Sequence, residues 1–593
     1  MIYLGLWSVR NVSDKIHELM SILAQHTGEE PSFTVKNNFT LVYGKLYPKH
    51  DMDQIWESDS TVLIGRIFDR EDLTTFKQKQ FRRYSQEIKQ DLTRKVWGKY
   101  IYWIVDGTNT LKVMVDPMGQ LPCFYHTFPN GDLLFASHID LISQCLSSNL
   151  DYNWSYLCSY LFYGCSSAIQ TPFRGVEEIP PGCILTSTQN NRNIRSFWNP
   201  FATYVDIPSP SGNAVNALQS VLKTIIEPYQ NVCVSLSGGL DSSALVYCLS
   251  EIKRSDQKLI ALNYFHSEVH SSNELHYART VCDEVGIGLI EVDNSKILPF
   301  DTYPDYQGLK LNKPFSGCIN LANINQYQSY LPVNDSCILL NGHGSDHIFM
   351  MPPTQMSIAD YLLTQGTQGL VGKIKDITHF YRDSLTPVLT QNMVSLIRYL
   401  FAQKPNKRRS SQDKPPHWLM KKVHQYTTNK FVHPVYRDIP SRILPGKYIQ
   451  IDALYEGLAS IQANINSHSP EYYPFFCEPI VDFALTFTTY SLFQNGYDRY
   501  PLRQAVSSHF YTNNVWRRDK GETTGILQLG IKKNIDYVME LCLEGEMVKQ
   551  GFVNREGLRQ TILLISSGDN NDLWPFIQLA SIEIFLKMWS RKY

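Results

Sequence analysis

Paired cysteines are missing from this chain. Its 12 cysteines are scattered through 593 residues, none forms CxxC, and the nearest pair is Cys158 and Cys165. That spacing excludes a finger-type zinc site and a disulfide framework, so reduced, mostly buried thiols in a cytoplasmic protein are expected. An excess of one charge is missing too, with 55 basic residues against 56 acidic ones and a net charge of −1. No overall field therefore draws the chain to nucleic acid or to an anionic membrane. No apolar run approaches the length that spans a bilayer. The opening MIYLGLWSVRNVSDK has neither the basic region nor the apolar length of a signal peptide.

What is present is an ordinary globular composition, 43% hydrophobic and 19% charged, in a chain too long for one core. Aromatic residues make up 12%, 35 of them tyrosines, which suits clefts with apolar walls and polar tips as well as aromatic cores. Up to about residue 200 the pattern is β-rich. TLVYGKLY (40–47), STVLIGRIF (60–68), KYIYWIVDG (99–107) and TLKVMVD (110–116) read as strands of sheets packed face to face, with helices such as 80–95 outside them. The Pro- and Ser-rich DIPSPSGNA (206–214) marks a boundary. Beyond it, strands at 232–236, 259–264, 287–292 and 337–341 alternate with helices at 242–253 and 273–285. That alternation predicts a mostly parallel, doubly wound α/β sheet with ligands beyond the carboxyl ends of its strands. From about 355 the chain turns helical and irregular, and the basic break at 404–416 reads as a solvated loop because no aromatics are interleaved with its charges.

SLSGGLDSS (235–243) follows a buried strand and opens a helix. Gly238 and Gly239 let backbone N–H groups approach phosphate oxygens, Ser237, Ser242 and Ser243 add hydroxyl donors, and the helix N-terminus adds partial positive charge. Asp241 does not suit direct phosphate contact and is expected to hold a bridging Mg²⁺. The loop lacks the Gly-Lys-Ser/Thr of kinases and GTPases, which points to a held pyrophosphate leaving group and attack at the α-phosphorus. A helix-capping Ser/Gly turn is the plain alternative. A second acidic loop, LLNGHGSDHIF (339–349), follows another apolar strand. Asp346 there is placed to be a second metal ligand. His343 and His347 are four apart, but the glycines argue against a helix and no third ligand is evident, so a catalytic or positioning role is preferred for His343.

With these motifs in order, the chain resembles the asparagine synthetase superfamily along almost its whole length. DPMGQLPCFYH (116–126), LLFASHIDLI (133–142) and TPFRGVEEIPPGC (171–183) resemble its glutaminase-like domain. SGGLDSS, NGHGSD, YPFFCEPIVDFAL (473–485), DRYPLRQAV (498–506) and VWRRDKGETTG (515–525) are similar to its synthetase domain. The resemblance implies an N-terminal αββα sandwich of Ntn-hydrolase type over 1–205 and an ATP-pyrophosphatase domain over 206–593. Glutamine-hydrolysing members carry a cysteine directly after the initiator methionine, whose α-amine serves as base for its own thiol. Here position 2 is Ile2 and the first cysteine is Cys123, so the sandwich is expected as a fold without glutaminase activity.

A second departure concerns His343, which stands where asparagine synthetases have a glutamate and β-lactam-forming relatives a tyrosine. That histidine, GHGSDHIF and FQNGYDRYPLR (493–503) are similar to the macrolactam synthetases of microcin-type lasso peptides. Those enzymes adenylate an Asp or Glu side chain of a precursor peptide with ATP and Mg²⁺, and the peptide's own N-terminal amine closes an isopeptide-bonded ring. By family position, Leu236 and Leu262 would face the adenine, and Asn341 and Gly342 the ribose-phosphate edge. Ser237, Gly238, Gly239, Asp241 and Ser242 would hold pyrophosphate, Asp241 and Asp346 the metal, and Lys520 would face the reacting centre. The resemblance also implies a leader-removing protease as partner. Arg503 could pair with a substrate carboxylate or with Asp498. An ammonia-dependent asparagine synthetase, a small-molecule lactam synthetase and a catalytically dead peptide-binding scaffold are the competing readings.

Overall fold

The computed structural model describes residues 1–8, 13–46, 50–87, 93–107, 109–147, 150–164, 169–188, 191–203, 212–301, 309–322, 329–332, 335–381, 385–401, 415–427, 432–461, 471–518 and 521–590. The strand Val96–Asp106 explains the N-terminal architecture. Its side chains alternate between two cores. Ile101, Trp103 and Val105 face one that also holds Tyr3, Phe39 and Leu41, while Tyr100, Tyr102 and Ile104 face another with Trp56 and Phe81. Only a strand sandwiched between two layers shows such a pattern, because successive side chains point to opposite faces. The first core is the seam between two six-stranded sheets. Trp103 sits at its centre, edge-on to Tyr3 at 5.4 Å and stacked near Phe39 at 5.7 Å. The helix Gln78–Glu87 covers the outside of one sheet through Phe81, and Ser13–Ala24 with Ile139–Leu146 covers the other. The αββα sandwich is thus present, with Ile2 wholly buried in its first strand. The predicted helix 80–95 is observed as Gln78–Glu87, and 88–92 lie outside the described residues.

The C-terminal sheet is parallel throughout, in the spatial order Leu289–Asp293, Lys258–Phe265, Asn231–Ser235, Cys337–Asn341, Glu471–Tyr472. The chain leaves Asn231–Ser235 toward one side, builds two strands there, then returns to the other side with Cys337–Asn341. This reversal opens a crevice at the carboxyl ends of two adjacent strands, where Ser235 is in register with both Leu262 and Asn341. The helix predicted from 242 begins earlier, at Leu240 with Gly239 as its N-cap, which places Asp241 in the first helical turn. An acidic side chain is favoured there by the helix dipole. Ser345–Ile348 forms one helical turn in the second loop, contrary to the expectation that its glycines would prevent one; Gly344 caps that turn rather than interrupting it.

The halves are joined by a shared core and by polar contacts. Phe68, Trp97, Met118 and Phe201 belong to the same buried cluster as Leu222, Val481 and Phe476. Arg66 donates to the carbonyls of Ile225 at 2.8 Å and Thr224 at 3.1 Å, and Arg70 pairs with Glu478 and Asp482. The boundary stretch at 206–211 and most of the basic break, 404–414, lie outside the described residues.

Candidate active site

The two motif loops touch backbone to backbone across the crevice. A Cβ added to Gly342 would stand 2.8 Å from the Ser242 nitrogen and 3.1 Å from the Asp241 carbonyl carbon, so only glycine permits this approach. Gly238 is constrained in the same way. Its φ is +77°, and a Cβ would lie 2.7 Å from Tyr277 Cβ and 2.8 Å from the Ala278 nitrogen. The first loop is braced internally, with Ser237 N donating to Ser242 Oγ at 3.2 Å and Gly239 N to Ser237 Oγ at 3.2 Å. In the second, Asn341 Oδ1 accepts from His343 N at 2.9 Å, while its Nδ2 donates to Glu471 Oε1 at 3.1 Å.

Between the loops lies a cleft of about 280 Å³ lined by Ser237, Gly239, Asp241, Ser242, Asn341, Gly342, His343 and Asp346. Of the residues expected at the site, these eight and Arg503 come together. Leu236 and Leu262 do not line it. They are buried in the cores, Leu236 just past its strand and Leu262 within its own, joined by Leu236 N donating to Leu262 O at 2.8 Å. Gly238 supports the loop from behind, and Lys520 lies outside the described residues. Of the residues flanking it, Arg518 donates to Asn495 O at 2.9 Å and Gly521 N to Glu274 Oε1 at 2.9 Å.

The residue that sequence reasoning missed is Arg499. Its Nη1 donates to Asp241 Oδ2 at 2.6 Å and also to Asp346, while its Nε pairs with Asp498 at 3.1 Å. The hairpin turn of Asn495 and Gly496 (φ 53° and 76°) delivers it, and Arg499 itself is left-handed at φ 47°. A non-glycine residue in that region costs about 1–2 kcal/mol, sustained here by the network around it. Its signal lay in the DRYPLR run, but no periodicity marks a left-handed arginine. Glu274, Asp498, Arg517 and Arg518 also line the cleft. Arg517 pairs with Glu274 at 2.6 Å and lies 4.0 Å over the Tyr277 ring. Arg503 is spent on protein acceptors, namely the Asp498 side chain at 2.9 Å and the carbonyls of Asp498, Val515 and Arg517. Of its two expected partners the structure therefore shows Asp498, and the guanidinium acts as a brace for the Asp498–Arg499 turn.

Burial and the neighbouring Asp346 push the Asp241 carboxyl up to about 6 against the opposing pull of Arg499. Its Oδ1 is buried without a hydrogen-bond partner. An orphaned carboxylate oxygen beside a second carboxylate is a hard-oxygen donor set that fits Mg²⁺. Among the described residues no cluster of three or more His, Cys, Asp or Glu side chains could hold a metal, so such an ion would complete its shell with phosphate oxygens or water.

His343 sits in an aromatic corner, its ring 5.3 Å from His347 and 5.6 Å from Phe476. Burial and the adjacent His347 lower its pKa to about 4. The ring tautomer follows from its hydrogen bonds. Ser460 Oγ donates its single proton to Gly457 O at 2.6 Å, so at 2.8 Å from His343 it accepts from Nε2–H and leaves Nδ1 as the ring's acceptor. His343 is thus a weaker base than an ordinary imidazole, and neutral across the physiological range.

Residues 5–198 match the glutamine amidotransferase domain family and residues 218–440 the asparagine synthase family. The chain is 22% identical over 299 residues to the microcin J25-processing protein McjC of Escherichia coli, covering 50% of this chain and 49% of that protein. It is 25% identical over 236 residues to the glutamine-hydrolysing asparagine synthetase 3 of Bacillus subtilis, covering 39% and 37%. These matches span about half or less of either relative. A solved glutamine phosphoribosylpyrophosphate amidotransferase from B. subtilis is 11% identical and covers 59% of this chain and 78% of its own, but at a TM-score of 0.22 it carries no argument. The chain thus carries a glutamine amidotransferase domain over residues 5–198, followed by an asparagine synthase domain over residues 218–440.

Proposed function

We propose that this protein is an ATP-dependent carbon–nitrogen ligase that adenylates a side-chain carboxylate of a precursor peptide, releases pyrophosphate, and joins the activated acyl group to the peptide's N-terminal amine. The observation that carries the adenylation is the meeting of a lysine-free Ser/Gly loop with a second loop so that Asp241 and Asp346 face one another at the switch point of a parallel sheet. The peptide as substrate is supported by the similarity to McjC and by a histidine at the apex of the second loop.

In this reading Ser237, Gly239 and Ser242 of the first loop hold the pyrophosphate through the serine hydroxyls and the helix N-terminus, while Asn341 and Gly342 border the ribose. Leu236 and Leu262 shape the strand ends beneath the adenine without lining the cleft. Asp241 and Asp346 would hold Mg²⁺, which offsets phosphate charge when bound. Arg517, Arg518 and Lys520 supply fixed positive charge against the negative charge that grows on the α-phosphoryl and acyl oxygens. His343 Nδ1 accepts the proton shed as the C–N bond forms. A base with a pKa near 4 is adequate because the attacking amine, ordinarily near 7.7–8.0, becomes far more acidic on bond formation. The N-terminal sandwich serves as scaffold, and a leader-removing protease supplies the free amine. No described helix is long and apolar enough to cross a membrane.

Pyrophosphate release with ATP and Mg²⁺ tests the reading, comparing a leader-free candidate peptide with aspartate plus ammonia. Peptide-dependent release with a product lighter by one water is expected. Release with aspartate and ammonia alone would make the chain an asparagine synthetase instead, and silence from every substrate would leave a peptide-binding scaffold.

A further inference from the structure

Two carboxylates that face one another inside a protein repel unless a shared proton or a cation lies between them. Here the chain provides its own. Arg499 is 5% exposed, and one of its nitrogens, Nη1, bonds both Asp241 and Asp346. Its Nε is tethered by Asp498, which is held in turn by Arg503 Nη2 at 2.9 Å. The guanidinium is thus fixed at one edge, while the other edge occupies the space between the aspartates. We propose that Arg499 is an exchangeable counter-ion: in the nucleotide-free protein it fills the divalent-cation position, and Mg²⁺ arriving with ATP displaces its Nη1 edge onto the phosphates. The inference rests on the adenylation reading for the identity of that cation.

Three features support exchange over a permanent structural pair. The contact spans the two loops that the nucleotide must enter between, so ATP cannot leave it untouched. Asp241 Oδ1 remains without a partner, so Arg499 alone does not satisfy the pair. An arginine keeps its charge at every accessible pH, so the position is never vacated by deprotonation and is freed only by competition. A further consequence is ordered binding: the divalent cation enters with the nucleotide, because only the phosphates offer the displaced guanidinium a new partner. Arg499 is a positioning residue in this scheme, and its effect is on metal affinity before any chemistry.

The test is Mn²⁺ binding to the whole protein by electron paramagnetic resonance, without nucleotide and then with pyrophosphate. Wild type should bind Mn²⁺ weakly alone and at least about ten-fold more tightly with pyrophosphate, a difference of about 1.4 kcal/mol. Arg499→Met should bind Mn²⁺ at least about ten-fold more tightly than wild type without pyrophosphate and lose most of the pyrophosphate enhancement. Should that variant not fold, Arg499→Lys, which keeps the charge without the fork, should shift affinity in the same direction by less. Equal Mn²⁺ affinity in folded variant and wild type would overturn the exchange while leaving the metal reading intact. Asp346→Asn separates the two ideas. If Mn²⁺ binds wild type and Asp346→Asn equally, the aspartate pair is no metal site, and the adenylation reading fails with the exchange.

Discussion

The N-terminal sandwich and the C-terminal sheet of this protein have been put to opposite uses. In the N-terminal sandwich the second residue and the first cysteine are both sealed: Ile2 is fully buried, and burial pushes the Cys123 thiol up to about 12. In the C-terminal sheet the reverse holds, and the polar side chains crowd the carboxyl ends of two strands around an open cleft. The sandwich is a core made by alternation, with Trp103 as its hub. The other is a buried platform whose loops hold the chemistry. The comparison teaches that fold and function separate within one chain: the sandwich can be required for stability while contributing no reactive group.

That separation can be broken most sharply at the aspartates. Asp241→Asn or Asp346→Asn should lower ATP-dependent pyrophosphate release by about 10²–10³-fold or more, while Cys123→Ala leaves it unchanged in the folded protein. A loss on Cys123→Ala at normal stability would mean that the sandwich takes part in the chemistry. The converse substitution, Trp103→Ala, should cost about 3–5 kcal/mol of stability in denaturant unfolding without altering the ATP KM of the remaining folded enzyme. A changed KM would tie the sandwich to the cleft through the shared core of Phe68 and Trp97.

Smaller effects sharpen the picture within the cleft. Gly238→Ala forces a Cβ against Tyr277 and the Ala278 backbone at positive φ and should destabilise by about 1–3 kcal/mol. Release should fall with it, because the loop must move to relieve the clash. The smallest effect is in pH. The folded pKa of His343 lies near 4, below its ordinary 6.5, so between these values the unfolded chain binds the proton more readily. Stability from this group is fully present above about 6.5 and is lost as pH falls toward 4. His343→Gln should flatten that part of the stability profile. Between about pH 5.5 and 8, ring closure should follow the substrate amine and show no inflection from His343.

Much of the site could be read in advance, for a definite reason. Asp241, Asp346 and the glycine-rich loops lie at strand ends within a few residues of strong apolar runs, so local pattern placed them. Arg499 could not be read that way. It arrives from more than 150 residues beyond Asp346 in the chain, on a left-handed turn held by Asp498 and Arg503. His343 was legible as a residue but not as a base, because its pKa depends on His347 and on burial, neither of which composition shows. Leu236 and Leu262 were expected beside the adenine, yet their side chains turn into the cores.

By itself the sequence determined the strand–helix order, the two acidic loops and the absence of a cysteine at position 2, since these follow from residue type, short-range periodicity and turn chemistry. Only the tertiary structure decided which charges meet. The pairing of Arg499 with Asp241 and Asp346, the occupation of Arg503 by Asp498 and the lowered basicity of His343 all depend on side chains distant in sequence. Burial lowers the local dielectric response there, so each neighbouring charge decides what its partner can do.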